Sequence, residues 1–492
     1  MAPSNPWRTW LLVLLILAGS AGLKFALIAP AGGLEPRGDE IAYLIAARSI
    51  EKTGVPKYPY EQWDEAHASP VMPYFLGACR KVFGRERYRA AARAIQVVLS
   101  TLTVLLIFLI ARRLFGARVA VVAAAVVGFY PPLVAFSHYF YAETIYIFLE
   151  VAVVAALVGP LLERRAGARS TSATGGGRYE EGGRYEEGGR YEEGGRRAGV
   201  SWRRGLAAGL LGGAAALTRS VFVPQALLIV GWLLWGRAVP WKPRLATAGI
   251  FLAGMALVIA PWSVRNTLRY GHFLLIDTNA GNVLYKNLNA ILPENYDIGM
   301  QNRWSLERAA YLGEPRFRSR VHVDDPIERE HAEVRAAIAY AFRHPARYLR
   351  NCWMRALELL NPTSFLVREL RSPEQYRGLG PRLRGAVVML SIGAAMAIML
   401  CSVAGLFGAN LMKNHWLLVL LIAANTAMCV SIISMSRYRL PMMPLLIPFA
   451  VAGVSRFPRI LRGKRTAAAA IALGLLMLWS WVCYVPLSFH SK

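Results

Sequence analysis

The chain has 492 residues, of which 55% are hydrophobic and only 18% charged. Several apolar runs approach the roughly 20 residues needed to cross a bilayer, more than a soluble core requires, which excludes an ordinary water-soluble domain. A net charge of +27 would suggest nucleic acid in a soluble protein, but aromatic–basic RNA-binding signatures are absent and many arginines sit in short loops, where positive-inside bias puts them. The rest of that charge could face membrane lipid or phosphate.

The pattern predicts an all-α polytopic membrane protein with about eleven spans. Trp10 to Ala29 is the first, preceded by Arg8 and followed by no clear small-residue cleavage site, so it reads as an uncleaved anchor with the N-terminus inside. Residues 30–88 then form an outer loop that carries Asp39 and Glu40. Ile95 to Ala111 returns to Arg112-Arg113 on the inner side, and Val119 to Tyr130 leads out to Pro131-Pro132. A short outer turn bears His138 and Glu143 before the fourth span reaches Glu163-Arg164-Arg165.

Residues 163–204 contain Gly-Gly-Arg-Tyr-Glu-Glu three times and few aliphatic side chains, the composition of a disordered cytoplasmic linker. Gly205 to Trp235 is too long for one span and reads as a hairpin with Arg219 at its outer turn. The seventh span ends at Pro261-Trp262, so Arg265 and Asn266 emerge outside. Residues 265–384 form a large outer loop with helices, and four further spans occupy about 386–408, 416–434, 440–455 and 466–487. Arg437, Tyr438 and Arg439 fall on the outer side in this count. The organisation is a membrane module over 1–162, the linker, membrane helices over 205–264, the outer loop, and C-terminal helices over 385–492. The five cysteines lack metal spacing, and Cys79 with Cys352 could form a bridge outside.

Five segments occur in order: Gly38-Asp39-Glu40-Ile41-Ala42-Tyr43; Pro131-Pro132 with Glu143-Thr144; Leu217-Thr218-Arg219; Pro261-Trp262-Ser263-Val264-Arg265-Asn266; and Arg437-Tyr438-Arg439-Leu440-Pro441. With them the chain resembles the dolichyl-phosphate-mannose protein mannosyltransferase-like group, glycosyltransferase family 39, which includes aminoarabinose transferases. The resemblance implies a GT-C-type helical bundle with amphipathic juxtamembrane helices in its outer loops. It also implies a polyprenyl-phosphate sugar donor, a hydroxyl acceptor of lipid, glycan or protein type, and inversion at the sugar. Transfer would take place on the outer, periplasmic face of the cytoplasmic membrane. A clear β-trefoil insertion of the protein mannosyltransferases is absent, which leaves the acceptor open.

Such a transfer needs a base for the acceptor hydroxyl and cations for the departing phosphate. Asp39 is the expected base, against the alternative of a helix N-cap. Glu40 points about 100° away on a helix, so it orients a partner, binds a metal or is simply solvated. Glu143 matches the family's second acid. Asp39, Glu143 and His138 could share a divalent ion, although no zinc spacing supports it. Arg219, Arg265, Arg437 and Arg439 are candidates to grip phosphate or to anchor at the interface. Tyr43, Tyr438 and Asn266 could position substrate. No phosphate-binding loop, dinucleotide fingerprint or nucleophile elbow stands out, and no nucleic-acid partner is expected. A transporter or lipid flippase is the alternative, but the flagged acids lie at span ends and the two halves show no evident repeat.

Overall fold

The computed structural model describes residues 6–59, 63–158, 200–235, 240–287, 325–371, 376, 379–406, 415–434, 436–454, 474, 475 and 478. The Gly-Gly-Arg-Tyr-Glu-Glu repeat, most of the last expected span and Cys483 lie outside these residues. Among the described residues the chain is all-α, with seventeen helices and no strand.

The apolar runs become α1 (Pro6–Ala26), α4 (Val71–Phe115), α5 (Ala117–Phe129), α7 (Glu143–Val158), α8 (Trp202–Thr218), α9 (Phe222–Leu234), α10 (Trp241–Tyr270), α15 (Pro381–Leu406), α16 (Trp416–Ser431) and α17 (Met442–Val454). Four helical stretches, Trp7–Gly32, Val71–Phe115, Trp241–Tyr270 and Pro381–Leu406, are long and apolar enough to cross a membrane, and four shorter apolar helices accompany them. The protein is therefore a multi-pass membrane protein; helix length alone does not reach the expected eleven spans.

Between these lie α2 (Ile28–Gly32), α3 (Asp39–Thr53), α6 (Pro131–Phe136), α11 (Ala280–Asn287), α12 (Pro326–Arg343), α13 (Pro345–Leu360) and α14 (Phe365–Arg371). The 205–235 region does fold as two helices, with Arg219 at the C-cap of α8. The second span is longer than its apolar run because α4 begins upstream and bends at Gly84, whose φ of 76° and ψ of 170° break the helix. Cys79 and Cys352, the pair that could have formed a bridge, are both free: Cys79, on α4, is buried in the main hydrophobic core.

Small residues bring the helices together, as they do where no solvent drives association. A Cβ on Gly209 of α8 would stand 2.2 Å from the Phe251 carbonyl oxygen of α10, so only glycine permits this approach. Arg112 lies 5.3 Å from the Trp10 ring centroid, joining the end of α4 to the start of α1. His415 Nε2 is 3.3 Å from the Leu114 carbonyl oxygen at that same end of the bundle. The candidate site lies at the opposite end.

Candidate active site

Helix α3 starts at Asp39 because Gly38 turns the backbone there, at φ 54° and ψ −128°. Such a conformation is open to glycine and strained for other residues. The turn projects Asp39 from the first helical position, with its side chain one-third exposed. Asp39 Oδ2 meets Arg437 Nη1 at 2.8 Å, so residues almost four hundred positions apart in the chain form one ion pair. Glu143, at the first turn of α7, is buried and accepts from Arg219 Nη1 at 2.7 Å.

Tyr438 joins the two pairs. The Arg219 guanidinium lies 4.8 Å from its ring centroid and that of Arg437 lies 5.0 Å from it. Arg437 Nη2 also donates to the Tyr438 hydroxyl at 3.0 Å. Tyr43 stands one turn after Asp39, where burial and then the Asp39 and Glu143 charges hold its phenol protonated, well above the usual range. The result is a neutral quartet, two carboxylates and two guanidinia, packed around tyrosines. Arg437 Nε is buried with no hydrogen-bond partner, a donor still open to a ligand oxygen.

Glu40 is buried and accepts backbone hydrogen bonds, which corresponds to the orienting alternative and not to a solvated carboxylate. Its Oε1 accepts from the Phe140 backbone N–H at 2.7 Å and its Oε2 from that of Arg37 at 3.2 Å. It thereby ties the segment that bears Asp39 to the loop that bears Glu143. Arg93 Nε and Gln96 Nε2 fix the same loop by donating to the His138 and Tyr139 carbonyl oxygens at 3.0 and 3.1 Å. Burial pushes the Glu40 carboxyl up to about 7, against the opposing pull of the Phe140 and Arg37 amides and the Arg93 charge.

His138 is buried, and desolvation with the nearby Arg93 and Lys24 charges pushes its imidazole down to about 4. Among the described residues no three acid, histidine or cysteine side chains gather as a metal group. A divalent ion between Asp39 and Glu143 would also face both guanidinia. The shared-ion expectation for Asp39, Glu143 and His138 therefore finds no fitting donor set among the described residues.

Two of the four arginines are occupied elsewhere. Arg439 is buried, with Nη1 donating to the Leu359 and Asn361 carbonyl oxygens at 2.7 and 2.6 Å, where it pins the end of α13. Arg265 pairs with Glu65 of the segment between α3 and α4 and donates to Asn266 Oδ1 at 2.7 Å. Asn266 is fully buried, so it supports Arg265 and does not line the quartet. That second cluster continues through Asp64, which accepts from the Tyr270 and Thr278 hydroxyls at 3.1 and 2.7 Å.

Sequence reasoning passed over Tyr141 and Tyr146. The Arg437 guanidinium lies 5.2 Å from the Tyr141 ring, and the Tyr141 hydroxyl donates to the Arg37 carbonyl oxygen at 3.1 Å. Tyr146 lies beneath Arg219, 5.8 Å from its guanidinium. The aromatic run Tyr139-Phe140-Tyr141 just before Glu143 was the available signal, hidden by the commonness of interfacial aromatics.

No curated protein matches the chain significantly. Among solved structures, the archaeal oligosaccharyltransferase AglB from Archaeoglobus fulgidus, in complex with an inhibitory peptide and a dolichol-phosphate, is similar at 15% identity and a TM-score of 0.49. The match covers 99% of this chain and 56% of that one, so this chain spans little more than half the length of the archaeal enzyme. ArnT from Cupriavidus metallidurans bound to undecaprenyl phosphate is similar at 16% identity over 92% of this chain and 80% of that one, with a TM-score of 0.41. Residues 66–170, which include Arg93, Phe140 and Glu143, match the profile of the family described as dolichyl-phosphate-mannose-protein mannosyltransferase. Of the ordered motifs, Pro131-Pro132 with Glu143-Thr144 falls inside that matched segment.

Proposed function

We propose that the protein is a membrane glycosyltransferase of GT-C type that moves a sugar from a polyprenyl-phosphate donor to a hydroxyl acceptor on the outer face of the cytoplasmic membrane. The observation that carries this reading is the quartet of Asp39, Arg437, Glu143 and Arg219 around Tyr438. The partial family match and the dolichol-phosphate and undecaprenyl phosphate bound by the two similar proteins support it.

In this reading Arg219 and Arg437 hold the lipid phosphate from the two sides of Tyr438. A phosphate oxygen would satisfy the buried Arg437 Nε and share the guanidinium fork with Asp39. Drawing Arg437 toward phosphate loosens its hold on Asp39 and frees that carboxylate for the acceptor hydroxyl. Asp39 then takes the proton of the acceptor hydroxyl as the oxygen attacks the anomeric carbon. The bond from that carbon to the phosphate oxygen breaks, and the two guanidinia stabilise the charge gained by the leaving phosphate. Glu143 keeps Arg219 aimed, and Glu40 keeps Asp39 and Glu143 in register.

The test uses purified protein with a polyprenyl-phosphate sugar and membrane-extract acceptors. Asp39→Asn is expected to abolish transfer while retaining affinity for undecaprenyl phosphate. Arg437→Ala and Arg219→Ala are each expected to weaken that affinity by about 10- to 100-fold, the worth of a charge-assisted hydrogen bond. Full turnover by a folded Asp39→Asn protein would remove Asp39 as the base.

A further inference from the structure

A column of polar side chains descends from the candidate site into the apolar bundle, and the reaction does not use it. Tyr146 and Glu150 lie one turn apart on the same face of α7. The Tyr146 hydroxyl donates to Gln225 Oε1 of α9 at 2.9 Å. Glu150 Oε1 accepts from Asn425 Nδ2 of α16 at 3.1 Å. Tyr146 and Glu150 are fully buried, and Gln225 and Asn425 are 1% exposed.

Two atoms of this column have no hydrogen-bond partner, the acceptor Glu150 Oε2 and the donor Gln225 Nε2. Both residues border the Tyr146 hydroxyl, Gln225 through its hydrogen bond and Glu150 from the next turn of the same helix face. A buried donor and a buried acceptor left open on the two residues that flank one tyrosine are a setting in which ordered water is found. Among the described residues Glu150 has no cation within ion-pair distance, and an unpaired ionised carboxylate inside a membrane bundle is prohibitively costly. A neutral acid resolves this, because its O–H can donate to the same water that accepts from Gln225 Nε2.

We propose that α7, α9 and α16 bind ordered water between Glu150 and Gln225, with Glu150 as a neutral acid, and that the completed column fixes the Tyr146 ring beneath Arg219. Glu150 is then a positioning residue for the phosphate-binding guanidinium, acting through Tyr146. This rests on the role proposed for Arg219. It differs from the structural alternative, in which the column only holds three helices together, because it couples Glu150 to Arg219 energetically.

The experiment measures undecaprenyl phosphate binding by purified Glu150→Gln, Glu150→Leu, Arg219→Ala and Arg219→Ala/Glu150→Leu proteins, with infrared spectra of the first against wild type. Glu150→Gln keeps both hydrogen-bonding roles and is expected to bind as wild type does, while losing the carbonyl stretch of a neutral buried carboxylic acid. Glu150→Leu is expected to weaken binding about fivefold or more, and the double variant is expected to bind no more weakly than Arg219→Ala alone, since the two act through one group. Gln225→Leu reads the same column should Glu150→Leu not fold, and the same loss is expected. Additive effects of the two substitutions, wild-type affinity in a folded leucine variant, or an unchanged infrared spectrum in Glu150→Gln would overturn the proposal. Wild-type protein that bound no undecaprenyl phosphate would instead overturn the phosphate reading of Arg219 and the positioning role with it, and the infrared band would still decide whether Glu150 is neutral.

Discussion

Glu40 offers the sharpest test of how the site is held together. Its carboxyl is pushed from 4.5 up to about 7 in the folded protein, chiefly by burial. Below pH 4.5 the folded and unfolded chains both carry the proton. Between 4.5 and 7 the unfolded chain releases it and the folded chain keeps it, so stability falls as pH rises through that window and levels off above it. A shift of this size corresponds to a loss of about 3 kcal/mol across the window. Glu40→Gln removes the titration. Its amide oxygen can still accept from Phe140, but its amide nitrogen would face the Arg37 N–H donor, so a constant loss of about 1 kcal/mol is expected. Reversible unfolding in mixed micelles, followed from pH 4 to pH 8, compares the two slopes. A Glu40→Gln protein with the same pH dependence as wild type would refute the assignment of that slope to Glu40.

Gly38→Ala forces a side chain into a φ of 54° and places its Cβ 3.3 Å from the Tyr141 hydroxyl. A stability loss of about 1–3 kcal/mol is expected, with a fall in turnover because Asp39 shifts; thermal unfolding and donor-consumption assays read both. Arg439→Ala leaves the Leu359 and Asn361 carbonyl oxygens without their buried donor. It is expected to destabilise by about 2–4 kcal/mol, with undecaprenyl phosphate affinity intact in the folded fraction, as unfolding and binding measurements on one preparation would show.

Among the described residues the hydropathy pattern located the apolar helices, because a segment that crosses lipid must satisfy its backbone internally and advertises this as an apolar run. The 205–235 hairpin was legible for the same reason: its length exceeds one span and Arg219 interrupts it. The length of α4 was not legible, since its first part is amphipathic and its bend depends on the dihedral angles of Gly84. At the site, the acids and arginines could be named but not sorted. Arg437 and Arg439 are chemically identical and two residues apart, yet one reaches Asp39 and the other reaches two carbonyl oxygens of α13 and its C-cap. Adjacent Asp39 and Glu40 diverge in the same way. The helical angle correctly separated them, but the backbone amide that claims Glu40 belongs to a loop a hundred residues away. Side-chain roles set by tertiary backbone groups leave no local trace in a sequence.

In the proposed mechanism Arg219 and Arg437 receive a lipid phosphate on the two sides of Tyr438, beside Asp39. An electron cryomicroscopy structure of the protein with bound undecaprenyl phosphate tests it most directly. Phosphate density between the two guanidinia, within hydrogen-bond distance of Arg437 Nε, is the expected result. Head-group density at Arg265 and Arg269, with the Asp39–Arg437 and Glu143–Arg219 pairs unchanged, would contradict it.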